Sequence, residues 1–94
     1  MQSPLGIARE CLEVLEAAEA LLGKSNTNAL SDLGVAGQQA LAGLEGALMN
    51  VRINLPSIKD EAFVRATTGE LATLLHQGQR IAKFIYDAVT EQLG

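Results

Sequence analysis

Aromatic residues are nearly missing from this chain, which has no tryptophan, one tyrosine and two phenylalanines. Its core must therefore be built from Leu, Ile, Val and Ala, the composition of a helical bundle rich in good helix formers. Cysteine occurs once, as Cys11, so no internal disulfide can form, and a lone thiol fits a reducing cytoplasm. His76 is the only histidine, so no His/Cys cluster with metal-ligand spacing exists and no metal site is expected. Positive charge is also scarce: seven Lys and Arg against eleven Asp and Glu leave a net charge of −4. Without a basic cluster the chain has no nucleic-acid footprint and no attraction to an anionic membrane surface. Long apolar runs are lacking too. The longest uncharged stretch, Leu33 to Leu44, is too short to span a bilayer and contains Gln38 and Gln39. Arg9 and Glu10 interrupt the only apolar N-terminal stretch, so no secretory signal is expected.

What is present is helical periodicity in a chain of 94 residues, the size of one small domain over residues 1–94. The first helix is expected to begin near Pro4, with Ser3 as its cap, and to stop at Gly23. Ala8, Cys11, Leu12, Leu15, Ala18 and Leu22 form its apolar stripe, which Ile7, Val14 and Leu21 widen. Glu10, Glu13, Glu16 and Glu19 make a solvated face, with Arg9 placed to pair with Glu13. A second helix starts near Asn28 and runs to about Asn54, where Pro56 ends it. Ser57-Ile58-Lys59-Asp60 has the pattern of a capping box and opens a third segment that keeps helical phase to the C-terminus. Thr67-Thr68-Gly69 is a weak helix-forming stretch where that segment can kink or divide. No period-two alternation is sustained. The expectation is an all-α antiparallel bundle of three helices, or four if the last is broken.

The second helix carries the unusual chemistry. Gly34, Gly37, Gly43 and Gly46 each cost roughly 1 kcal/mol relative to alanine inside a helix. Ala36, Ala40, Gly43 and Ala47 share a face, which favours close helix packing and also suits a flat ligand laid against the backbone. Asp32 is expected in or just before the first turn, as a capping carboxylate or as an anion that stabilises positive charge. Asn26, Asn28 and Ser31 crowd around it, as cap and loop residues or as ligands. Asn50 and Asn54, one turn apart, form either a polar patch at a fraying end or a pair that hydrogen-bonds a heteroaromatic edge. Asp32 and Asn50 are roughly 27 Å apart on one straight helix, so they cannot share a small reactive centre within it.

The segments SNTNALSDLGVAG and LEGALMNVRINLPSIKDEAFV, within Ser25 to Val64, carry a resemblance. Their N-x-N-x-x-S-D-x-G-V-A block followed by N-V-x-I-N is similar to the C-terminal half of the cyclodeaminase/cyclohydrolase family. That family includes formiminotetrahydrofolate cyclodeaminase and methenyltetrahydrofolate cyclohydrolases. The resemblance implies an all-helical, usually dimeric fold, half of which this chain would supply. It implies a tetrahydrofolate derivative as substrate, with no prosthetic group. In the deaminase reaction N10 closes on the formimino carbon and ammonia leaves. In the hydrolase reaction water adds to the cationic methenyl bridge. By the match to the Ser-Asp position, Asp32 stabilises that cation or moves a proton, with Ser31 and Asn28 orienting it. Asn50 and Asn54 match the asparagine element and bind the ligand or hold helices in register, and Asn26 belongs to the same polar opening. Nothing in the chain matches the glycine-rich motif of the family's N-terminal half. Catalysis is therefore expected only with a separate N-terminal half or in a homo-oligomer, since three helices give too little wall to exclude water. The alternative is a non-catalytic helical module that dimerises through its small-residue face.

Overall fold

A computed structural model describes residues 3–24 and 26–93, with Thr27, Asn28 and Leu93 described by their backbone alone. Helix α1 spans Pro4–Leu21, α2 spans Thr27–Asn54 and α3 spans Glu61–Leu93. Short 3-10 turns at Leu22–Lys24 and Leu55–Ser57 join them, and there is no strand among the described residues. Thirty-three residues at 1.5 Å each give α3 a length of about 50 Å, which sets the 50 Å long axis of the molecule.

The caps explain the boundaries. Ser3 accepts a hydrogen bond from the Gly6 N–H at 3.1 Å, and Pro4 follows at the first helical position, as expected. At α2 the cap is Asn26, whose Oδ1 accepts from the Ala29 N–H at 2.9 Å. The helix thus starts one residue before the expected Asn28. At α3 the Asp60 carboxylate accepts from the Phe63 N–H at 3.1 Å and fills the role expected of Ser57. Ser57 instead donates to the Asn54 carbonyl at 2.8 Å and closes the end of α2. The weak stretch Thr67-Thr68-Gly69 neither kinks nor divides α3. Thr68 and Thr73 donate to the carbonyls of Val64 and Gly69, four residues back, which keeps their hydroxyls within the helix. Thr67 is buried in the bundle, where packing outweighs its modest propensity. Three helices result, not four.

Leu15, Leu44, Leu71 and Ile85 are the largest fully buried side chains, and they come from all three helices. Glycines set how closely the helices approach. A Cβ on Gly37 would sit 3.3 Å from Ile85 Cγ2, and one on Gly34 would sit 3.2 Å from Val89 Cγ1. Both contacts join α2 to an antiparallel α3. Gly43 faces α1, where a Cβ would lie 2.9 Å from Cys11 Sγ. Ala40 and Ala47 are buried on that same side. The small-residue face is thus used inside the molecule. Gly78 was not singled out by periodicity, yet it is the tightest notch: a Cβ there would collide with Leu44 Cδ2.

Two expectations for α1 fail. Arg9 pairs not with Glu13 but with Glu70 of α3, through a two-pronged contact of 2.7 and 2.8 Å. Ile7, Val14 and Leu21 do not widen the core stripe; they are exposed. A short helix laid on two neighbours buries a narrow strip and leaves its shoulders to solvent. Cys11 is half-buried against α2, and its thiol is pushed above the ordinary range by that burial and by the Glu10 carboxylate. The thiolate is the reactive form, so at pH 8 the folded protein should react with a disulfide reagent several-fold more slowly than the chain unfolded in urea. Equal rates would remove this account of Cys11.

Candidate functional site

Five of the candidate residues belong to α2 and the sixth caps it, so the geometry of α2 decides what they can do together. Successive residues turn by about 100° on a helix. On that spacing Asp32, Gln39, Gly46 and Asn50 fall on the side opposite the buried Leu30, Leu44 and Leu48, and Ser31 lies at the edge towards α3. Ser31, Asp32 and Asn50 are all exposed. The side chain of Asn28 lies outside the described residues. Asn54 stands at the edge of the same outer face, also exposed.

The structure moves Asp32 out of the expected first turn. With α2 beginning at Thr27, Asp32 is its sixth residue, beyond the reach of the unpaired N–H groups. It makes no hydrogen bond or ion pair to another described residue. Its position is that of a carboxylate displayed to solvent rather than one consumed in capping. Asn26 takes the capping role, and its Oδ1 is occupied by the Ala29 N–H. At the other end Asn54 Nδ2 donates to the Asn50 carbonyl at 2.9 Å and to Asn50 Oδ1 at 3.2 Å. This contact fixes the pair's orientation. It occupies Asn54 Nδ2 and leaves Asn50 Nδ2 and Asn54 Oδ1 for a ligand. Within one chain the two ends of α2 are not brought together, as the spacing requires.

Each end borders a groove. Near Ser31 a groove of about 340 Å³ runs between α2 and α3, floored by Gly34 and Val89 and edged by Gln38, Tyr86 and Thr90. Near Asn54 a second groove, of about 300 Å³, is bordered by Val51, Ile58, Phe63 and Thr67. Sequence reasoning missed Tyr86 and Phe63 as neighbours of these sites. Their signal was available: both rings lie off the apolar stripe of α3, and both are half-exposed. Among the described residues no group of three or more His, Cys, Asp or Glu side chains is arranged to hold a metal ion. No helix of the described residues is long and apolar enough to cross a membrane.

Comparison with known proteins adds the following. The family model described as formiminotransferase-cyclodeaminase matches residues 1–73, a span that holds every candidate residue named above and stops short of Tyr86. A methenyltetrahydrofolate cyclohydrolase of Methylorubrum extorquens is 38% identical over 90 residues, 96% of this chain and 43% of that protein. The formimidoyltransferase-cyclodeaminase of Rattus norvegicus is 32% identical over 82 residues, 87% of this chain and 15% of its own length. That of Sus scrofa is 31% identical over 84 residues, 89% of this chain and 16% of its own. The chain therefore spans less than half the length of the curated relatives it matches.

Proposed function

The chain belongs to the formiminotransferase-cyclodeaminase family, and we propose that its α2 forms one wall of a site for the one-carbon unit of a tetrahydrofolate derivative. The observation that carries this reading is the Asp32 carboxylate, exposed on the outer face of α2 with no partner among the described residues and within the family-matched span. Hydrolysis of a methenyl bridge is favoured over deamination. The cyclohydrolase is 38% identical across nearly the whole chain, against 32% and 31% for the bifunctional relatives.

The chemistry suits a carboxylate. A methenyl bridge is a carbon between two nitrogens that share one positive charge. As water adds to that carbon, a C–O bond forms and the water must lose a proton. Asp32 attracts the cation and accepts the proton, which then passes to solvent. One C–N bond opens afterwards: the added hydroxyl gives up its proton to become the carbonyl, the departing nitrogen takes a proton, and a formyl group is left on the other nitrogen. Attraction alone would tighten substrate and transition state together, whereas proton acceptance lowers the barrier. Asn50 and Asn54 are suited to hydrogen-bond the pterin edge, and Ser31 and Asn28 to orient the Asp32 end.

Magnitudes show why this wall needs covering. Opposite unit charges 4 Å apart gain about 1 kcal/mol in bulk water and about 4 kcal/mol at a partly shielded protein surface. Asp32 on an open face sits at the weak limit. The site is completed by further protein, either a separate N-terminal half or a second copy, in a cytoplasmic setting that keeps Cys11 reduced. Thermal unfolding tests the reading. At a ligand concentration near 100 times Kd, methenyltetrahydrofolate should stabilise the fold by about 2.7 kcal/mol. In a domain of this size that raises Tm by roughly 10–20 °C. Unchanged melting with methenyl- and formiminotetrahydrofolate, alone and with an N-terminal partner, would falsify it.

A further inference from the structure

We draw no further inference here: the strongest candidate, the uncharged groove between α2 and α3 that Ser31, Val35, Tyr86 and Thr90 border, lies on the surface of a chain that spans less than half the length of its relatives, and nothing in the structure shows what covers it.

Discussion

Replacing Gly78 with leucine leaves the chain without a cooperative thermal transition, and Gly78→Ala lowers stability by about 1–2 kcal/mol. Alanine would gain roughly 1 kcal/mol over glycine from helix propensity alone. That gain is outweighed because the added Cβ collides with Leu44 Cδ2 and lies 3.6 Å from Leu15 Cδ1. Leu44 and Leu15 are both fully buried, so neither can swing into solvent to make room. A domain of this size has about 5–14 kcal/mol to lose in total, and a leucine at the tightest notch removes enough to unfold it. Gly69 is the control. It lies mid-helix in α3 with nothing within 4 Å of an added Cβ, so Gly69→Ala should gain up to about 1 kcal/mol. Urea denaturation of the two alanine variants decides the point. If both gain stability alike, the close approach at Gly78 is not a constraint.

Asp32→Asn lowers turnover of a methenyl bridge by about 10²–10⁴-fold in the completed enzyme, the usual worth of a positioned proton acceptor. The amide keeps the shape of the side chain but cannot accept the proton released by the adding water. Binding of the cationic folate also weakens, by about fivefold or more, because an attraction of about 1–4 kcal/mol is lost. Stability should stay within about 0.5 kcal/mol, since Asp32 is exposed and contacts no described partner. Function and fold therefore separate in this variant. Unchanged turnover and affinity would remove Asp32 from the chemistry, whatever else the family membership implies.

The sequence made the class of fold legible because leucine, isoleucine and alanine keep helical phase over most of its length. Ser3-Pro4 was readable as a start, since few other roles suit a serine before a proline. Asn26 was not, because Asn26, Asn28 and Ser31 are all good caps and local chemistry does not rank them. That small ambiguity mattered for function. It decides whether Asp32 sits among the free N–H groups or out on the helix face. The close-packing glycines were half legible. Gly34, Gly37 and Gly43 do meet a neighbouring helix, while Gly46 points away from all of them. Their partners, and the notch at Gly78, depend on contacts with residues far along the chain that no local window contains. The same limit hid the Arg9–Glu70 pair, 61 residues apart, behind the closer Glu13. Ile7, Val14 and Leu21 have the right phase for a core and lack only helices to cover them.

A methenyltetrahydrofolate titration of the unaltered protein and of Asp32→Asn, with urea unfolding of both, tests the account most directly. The expected result is folate binding that weakens by about fivefold or more in Asp32→Asn while stability stays within about 0.5 kcal/mol. Equal affinity in the two proteins would contradict it.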